Sequence, residues 1–366
     1  MYCIVINVIS NHKRMDQKPV SAQEQLERTV NQLYRLVVIL FFAIIVMPFA
    51  YMFFDDFKNL FKSSKKEPLP YEVGEVKPPT DKEEGYWIAP PVAAIEDEQL
   101  RELVSYGKEL IVHTSNYLGP KGSVAAISNG LNCQNCHLDA GTKVFGNNYG
   151  SVASTYPKFR ARSGSTENIY KRVNDCFERS LNGQALDTNS KEMQAIKAYI
   201  DYLGTDVKKG ESAKGSGLKD MAFLDRAASP EKGKEVYDTK CASCHKPDGS
   251  GLMNMEGTAY QYPPLWGEHS YNDGAGLYRM SNFAKYVKYN MPLGVTHREA
   301  QLTDEESWDV GAFVNSQPRP HKDLSGDWPD ISKKPFDHPF GPYADGFSEE
   351  QHKFGPFKEI KAASKK

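Results

Sequence analysis

Two Cys-x-x-Cys-His pentapeptides, at residues 133–137 and 241–245, constrain this chain more strongly than any other feature. In this pentapeptide the two thiols form thioether bonds to the vinyl groups of a haem, and the adjoining His ligates the iron. The sequence therefore predicts two covalently bound haem c groups. The predicted attachment residues are Cys133, Cys136, Cys241 and Cys244, and the predicted proximal ligands are His137 and His245.

The segments around the first signal predict helices on both sides of it. Apolar residues recur at helical spacing from Asp97 to about His113, and Ser190 is a suitable N-cap for a later helix that ends at Leu203. Helix, haem signal, long loop and terminal helix is the layout of a class I cytochrome c domain.

The second signal has matching helices. Pro230 stands at the tolerated first position of a helix, and Gly233 would let another helix approach it closely. Thr303 and Glu306 form a capping box that opens the terminal helix. The predicted fold is therefore mainly α: two class I cytochrome c domains in tandem, preceded by one N-terminal transmembrane helix and followed by an irregular C-terminal wrap.

The transmembrane helix is predicted over residues 36–54, which carry no charge and lie between Arg35 and Asp55. As a helix this run would be about 28 Å long, close to the hydrocarbon thickness of a bilayer. A cleaved signal peptide is the alternative, but the run follows residues 1–35 and lacks a clear small-x-small cleavage site. Basic residues ahead of the run favour a cytoplasmic N-terminus.

Haem c is attached outside the cytoplasm, so the haem signals independently require the rest of the chain to be exported. We therefore expect a single-pass protein of the bacterial inner membrane with its haem domains on the periplasmic side. The predicted segments are a cytoplasmic segment 1–35, a membrane anchor 36–54, a tether 55–90, cytochrome c domains 91–215 and 216–320, and a C-terminal extension 321–366.

Net charge and cysteine content limit the kinds of partner and cross-link that we expect. The net charge of −2 gives no indication of nucleic-acid binding. Of the 6 cysteines, those outside the haem signals are Cys3, which precedes the membrane run, and Cys176, which lies between the signals. A disulfide framework is therefore not expected.

Cys176 is the candidate for the distal side of the first haem. No second His follows His137 within the first domain, and Met193 there lies on the apolar face of a predicted helix, where core packing is the simpler interpretation. A buried inert thiol is the alternative. Exported proteins seldom keep an unpaired thiol, however, and nearby arginines would favour the thiolate. These arginines are Arg162, Arg172 and Arg179.

The second domain offers several candidates for a distal ligand. Met291 is best placed, because it precedes Pro292 in a loop shortly before the terminal helix, where class I cytochromes carry their axial methionine. The competitors are Met280 above all, then Met253, Met255, His269 and His297. Thiolate ligation lowers a haem potential and methionine ligation raises it, so electrons would run from the first haem to the second.

Three segments carry a resemblance to a known family. They are Asn132–Gly141, then Tyr156–Gly164 with Cys176–Gly183, and a tail that contains Trp328-Pro-Asp, Pro339–Asp345 and Gln351–Phe357. Together they resemble the thiosulfate dehydrogenases, dihaem c-type cytochromes that join two thiosulfates into tetrathionate. The resemblance covers about residues 90–360. The haem signals are common to all c-type cytochromes, whereas the cysteine segment and the tail are far more specific.

The resemblance implies a role for each haem. The first would be catalytic, with His137 and Cys176 as axial ligands, and the second would pass electrons to an acceptor with Met291 as its distal ligand. Some relatives place a Lys immediately before this Met, where this chain has Asn290, so ligand switching through Lys is not expected. The acceptor would be a cytochrome c or a membrane oxidase complex. Many family members are soluble periplasmic proteins, and the membrane run departs from that pattern.

Thiosulfate is a small dianion, and a site for it requires donors such as Arg. If residues 172–183 are helical, Arg172, Cys176 and Ser180 share one face, and Arg162 could close the opposite side. The predicted function is oxidation of thiosulfate to tetrathionate, or the reverse reaction with the same groups. A tethered, non-catalytic dihaem carrier is the main alternative. A related cytochrome that oxidises carrier-bound sulfur fits the cysteine but not the tail.

Overall fold

The computed structural model describes residues 22–42, 81–82 and 84–364 of the chain. Its first helix, α1, comprises Ala22–Phe41. None of the described helices is both long enough and apolar enough to cross a membrane. The predicted membrane run shares residues 36–42 with this part of the chain, and residues 43–54 of that run lie outside the described residues, as do residues 55–80 of the predicted tether.

The first haem signal lies in a small helical domain. Its helices are α2 (Glu98–Val112), α3 (Thr114–Leu118), α4 (Leu138–Gly141), α5 (Val152–Thr155), α6 (Ile169–Arg179) and α7 (Lys191–Leu203). Strands β1 (Lys158–Arg160) and β2 (Ser165–Glu167) form an antiparallel hairpin between α5 and α6. Short 3-10 turns at Val92–Ala94 and Cys133–Asn135 complete the domain.

The two predicted helices of this domain are confirmed, and their caps explain where they begin. The Asp97 side chain accepts a hydrogen bond from the third residue of α2, and the Ser190 side chain does the same for α7. The two helices cross at Gly107, where a Cβ atom would lie 2.0 Å from the carbonyl oxygen of Ala195. Met193 is fully buried in the core beside this crossing, as predicted.

The second domain repeats this helix crossing. Its helices are α8 (Pro230–Lys240), α9 (Ala242–His245), α10 (Met280–Asn290) and α11 (Asp304–Ser316). The antiparallel strands β3 (Leu252–Met253) and β4 (Tyr260–Tyr262) pair across a bulge, and a 3-10 turn covers Gly276–Tyr278. A Cβ at Gly233 would lie 1.8 Å from the Asp309 carbonyl oxygen, so the predicted close approach at this glycine is confirmed. The predicted capping box of Thr303 and Glu306 is confirmed as well.

The C-terminal tail is more regular than predicted. A 3-10 turn at Ile331–Lys333 is followed by α12 (Glu349–Phe354) and α13 (Phe357–Ala363), so the prediction of a wholly irregular wrap was wrong. The helices form because Ser348 caps α12 and because Phe357 and Ile360, on one face of α13, are buried against Trp308. The tail thereby closes the second domain from outside.

Candidate functional site

Each haem signal lines a cavity of its own. The first cavity is lined by Cys133, Cys136 and His137, and also by Cys176 from helix α6. Its apolar and aromatic wall includes Ile111, Tyr149, Val152, Phe177, Ile196 and Ile200. These residues fit a covalently attached haem c, because two attachment thiols, a His and a candidate distal ligand share one apolar cavity.

The ring of His137 is held in a single orientation. Its Nδ1 donates to the carbonyl oxygen of Asn147 at 2.6 Å, which leaves Nε2 as the nitrogen free to bind iron. The ring stacks on Tyr149 with 4.5 Å between centroids. Burial lowers the pKa of His137 to about 4, so the imidazole is neutral at physiological pH, which is the form that ligates a metal.

The Cys176 sulfur lies beside a guanidinium group. Arg172 is one helical turn earlier on α6, and its Nη1 donates to Cys176 Sγ at 3.4 Å. The pKa of Arg172 is raised, chiefly by this sulfur. Ser180 follows one turn later and lines the same cavity. Helix α6 therefore brings a thiol, a cation and a hydroxyl to one wall, as the predicted helical spacing required.

The other two arginines are engaged by the tail. Arg179 makes two hydrogen bonds to the Asp327 carboxylate, at 2.8 and 2.9 Å. Arg162 Nε lies 3.8 Å from the same carboxylate, and its Nη1 donates to the Gly274 carbonyl at 3.0 Å. Burial, followed by the neighbouring Arg179, lowers the pKa of Arg162 to about 10. Arg162 thus stands behind the cavity wall formed by Arg172 and Cys176 and does not line the cavity itself.

The second cavity contains the other haem signal and Met291. Cys241, Cys244 and His245 line it together with Met291. His245 Nδ1 donates to the Pro263 carbonyl at 2.8 Å, which repeats the arrangement of the first proximal histidine. Its apolar wall includes Leu265, Val287, Leu302, Val310 and Val314. These residues also fit a covalently attached haem c.

The competing ligands of the second domain lie elsewhere. Met280 is 1% exposed and packs in the core of α10, α11 and the tail, while Met255 is 99% exposed. Met253 and His269 are exposed too. The ring of His297 packs against Phe145 at 5.1 Å between centroids. Of the predicted candidates, all of them within residues 84–364, Met291 is the one that lines the cavity.

One segment forms the wall between the two cavities. Cys136 lines both of them, and its neighbours Asn135 and Leu138 line the second cavity. Tyr286 of α10 is buried, and its hydroxyl donates to the Asn135 carbonyl at 2.7 Å. The first haem signal is therefore packed directly against the second cavity. Sequence reasoning could not predict this, because it depends on how the two domains dock.

The residue before Met291 also contacts the first domain. Asn290 is fully buried, and its Nδ2 donates to the Phe145 carbonyl at 3.1 Å. Asp327 is a further residue that sequence reasoning missed, although the adjacent Trp328-Pro-Asp motif had marked this part of the tail.

Comparisons with known proteins agree with this arrangement. The family described as SoxA/TsdA, cytochrome c domain, matches residues 123–208, and the cytochrome c family matches residues 230–318. A thiosulfate dehydrogenase of Psychrobacter arcticus is 36% identical over 243 residues, which are 66% of this chain and 71% of that protein. A thiosulfate dehydrogenase of Allochromatium vinosum is 35% identical over 235 residues, which are 63% of this chain and 83% of that protein.

The chain belongs to the thiosulfate dehydrogenase family. The resemblance inferred from the cysteine segment and the tail is thus confirmed. Two cytochrome c domains, each with its haem signal, mean that this family member binds two haem c groups covalently. The axial ligands and substrate residues of this thiosulfate dehydrogenase homologue stay predictions.

A solved structure of the family has the same fold. The thiosulfate dehydrogenase TsdBA of Marichromatium purpuratum, in its as-isolated form, matches with a TM-score of 0.61 and 28% identity. The match covers 66% of this chain and 51% of the other, so this family member spans about half the length of that protein.

Proposed function

We propose that this chain oxidises two thiosulfates to tetrathionate in the first cavity and passes the electrons through the second haem to an acceptor. The observation that carries the proposal is the placement of Cys176 in one cavity with His137, with Arg172 in contact with the cysteine sulfur. A thiol beside a cation, in reach of an electron-accepting cofactor, suits the oxidation of a sulfur anion.

In the first half of the reaction the Cys176 thiolate and the terminal sulfur of thiosulfate form an S–S bond, and two electrons are released. Arg172 donates to the cysteine sulfur and, with Ser180, offers donors to the sulfonate oxygens of the substrate. The two haems, which the two Cys-x-x-Cys-His signals would hold, would together supply the capacity for these two electrons.

In the second half a second thiosulfate attacks the S–S bond at the sulfur that came from the first. The bond to Cys176 breaks, and tetrathionate and the cysteine thiolate are released, as in thiol–disulfide exchange. No further oxidant is needed, since both electrons left in the first half. Tetrathionate reduction is the same sequence in reverse and uses the same residues.

We propose that His137 and Cys176 would hold the iron of the first haem and that His245 and Met291 would hold the iron of the second. The sharing of one cavity by each pair supports this assignment. The acceptor we propose is a cytochrome c or a membrane oxidase complex.

The test is haem reduction by thiosulfate in the wild-type holoprotein and in Cys176→Ala. Thiosulfate should reduce the wild-type haems and leave the variant oxidised. A strong chemical reductant should reduce both proteins fully, which shows that the variant carries its haems. If thiosulfate reduces both proteins alike, or neither, the proposed function is wrong and a non-catalytic electron carrier becomes the better account.

We further propose that residues 36–54 anchor the chain in the bacterial inner membrane with its haem domains on the periplasmic side. The uncharged run and the covalent attachment of haem outside the cytoplasm support this location. The full chain should remain in the membrane fraction after an alkaline wash, whereas a chain lacking residues 1–54 should be released. Release of the full chain by the wash would contradict the anchor.

A further inference from the structure

A residue of the second domain holds the C-terminal end of helix α6. Asn272 lies before α10 and is 1% exposed. Its Nδ2 donates to the Glu178 carbonyl at 2.8 Å and to Asn182 Oδ1 at 2.9 Å. Its backbone N–H donates to the Arg179 carbonyl at 3.1 Å. These three bonds all end on the last residues of α6 or on the turn that follows it.

Asn272 completes a cap that the first domain builds only in part. The last carbonyl groups of an α-helix have no partner within the helix and need one from elsewhere. The carbonyls of Cys176 and Phe177 accept hydrogen bonds from the turn after α6. The Glu178 carbonyl accepts from the Asn272 side chain, and the Arg179 carbonyl accepts from the Asn272 N–H at 3.1 Å as well as from the Asn182 N–H of the turn at 3.3 Å. The end of the helix that carries Cys176 is therefore capped from the other domain.

The loop that carries Asn272 fits tightly in this position. Asn272 Oδ1 accepts from the Gly274 N–H at 3.1 Å, and the Gly274 carbonyl accepts from Arg162. A Cβ atom at Gly274 would lie 2.8 Å from Arg179 Nη1, so a larger residue there would have to displace this guanidinium. The same Arg179 is bound by Asp327 of the tail. The loop and the tail therefore both bind the C-terminal end of α6.

We propose that Asn272 is a positioning residue for the Cys176 sulfur. A helix moves as a rigid unit, and Cys176 lies within one turn of the two carbonyls that Asn272 caps. A displacement of about 1 Å at a reacting group can cost about a hundredfold in rate. The second domain would then control the geometry of the sulfur chemistry in the first. This inference rests on the proposed function, in which Cys176 is the reacting and ligating group.

The experiment compares Asn272→Ala and the isosteric Asn272→Asp with Asn315→Ala, all as holoproteins. Asn315 is a matched control: it is also 1% exposed and in the second domain, and its Nδ2 donates to Tyr278, not to α6. The measurements are amide hydrogen exchange of residues 176–183, the magnetic-resonance signal of a thiolate-ligated haem, and kcat with KM for thiosulfate.

Both Asn272 variants should accelerate exchange in residues 176–183 at least tenfold and split or weaken the thiolate signal. They should lower kcat about tenfold, with KM changed less than threefold and the signal of the second haem unchanged. Asn315→Ala should show none of these local changes. The inference is wrong if the Asn272 and Asn315 variants exchange alike, or if both haem signals change together. If the wild type shows neither a thiolate signal nor thiosulfate oxidation, the proposed function is wrong instead. Hydrogen exchange of residues 176–183 would then still show whether Asn272 holds the end of α6.

Discussion

The two haem cavities are built alike where the haem is attached and differ in their candidate distal residues. Both proximal histidines donate Nδ1–H to a backbone carbonyl, that of Asn147 in one and of Pro263 in the other. The first cavity then adds a thiol in contact with Arg172, whereas the second adds Met291 in an apolar wall. An attachment motif thus specifies a haem, and the residues around it specify what the haem is used for.

Removing the sulfur of the first cavity should have the largest effect. Cys176→Ser is expected to lower kcat for thiosulfate oxidation at least about a thousandfold, because the sulfur that would bond to the substrate in the proposed reaction is lost. Steady-state kinetics with an artificial acceptor measures this. The magnetic-resonance signal of the second haem should not change. A kcat within tenfold of wild type would mean that Cys176 does not react with the substrate, and that the two cavities differ only in the residue that faces the haem.

Removing the cation beside that sulfur should have the next largest effect. Arg172→Ala is expected to lower kcat/KM for thiosulfate about a hundredfold, because a charge-assisted hydrogen bond and a donor to the dianion are lost together. Lys171→Ala is the matched control, since Lys171 is a cation on the same helix whose side chain is 50% exposed and pairs with Asp175. The control should change kcat/KM less than threefold. Equal losses in both variants would indicate a general effect of charge.

A change in the second cavity should separate two steps: reduction of the protein by thiosulfate and transfer of electrons to the acceptor. Met291→Leu is expected to leave the rapid reduction of the first haem by thiosulfate intact and to slow turnover with an acceptor about tenfold. The reason is that a methionine ligand, as proposed for the second haem, raises the haem potential. Stopped-flow absorbance resolves the two phases. Met280→Leu conserves volume at a buried core position and should leave both phases unchanged. Slowed reduction of the first haem in Met291→Leu would contradict the division of roles.

The smallest effect is expected from the C-terminal tail, which contacts each domain through a different carboxylate. Asp327 binds arginines behind the first cavity, and fully buried Asp337 binds Arg279 and the Ser281 N–H of the second domain, at 2.9 and 3.1 Å. Asp337→Asn should lower stability by about 3 kcal/mol, since a buried charge pair is broken, with kcat nearly unchanged. Thermal unfolding of the holoprotein measures this.

The stabilisation by Asp337 should also depend on pH. Burial acts to raise the pKa of Asp337, but Arg279 and Ser281 outweigh it, so the pKa lies below its ordinary value. The stabilisation is then complete above the unfolded pKa of about 3.9 and is lost as the pH falls through the lower folded value. The wild type and Asp337→Asn should therefore converge in stability only below about pH 4. A constant difference down to pH 2 would contradict this.

Local sequence signals predicted the parts of the fold that depend on local chemistry. The caps at Ser190 and Thr303 predicted two helix starts, because an N-cap acts within its own turn, and apolar spacing predicted a third helix from about Asp97. Helix α13 was missed because its stability comes from burying Phe357 and Ile360 against a distant helix. The contacts of Asp327 and Asp337 could not be predicted for the same reason, because their partners lie far away in the chain.

The sequence by itself determined two covalent haems, the membership in the thiosulfate dehydrogenase family and the one thiol beyond the predicted membrane run that no haem signal uses. The haem signals sufficed for the haems, since five adjacent residues specify covalent attachment, and the cysteine segment and the tail carried the family resemblance. Only the tertiary structure decided that Cys136 separates the two cavities, that Arg162 stands behind Arg172, and that Asn272 caps the cysteine helix from the other domain. The physical reason is that these contacts join residues that meet only when the two domains dock.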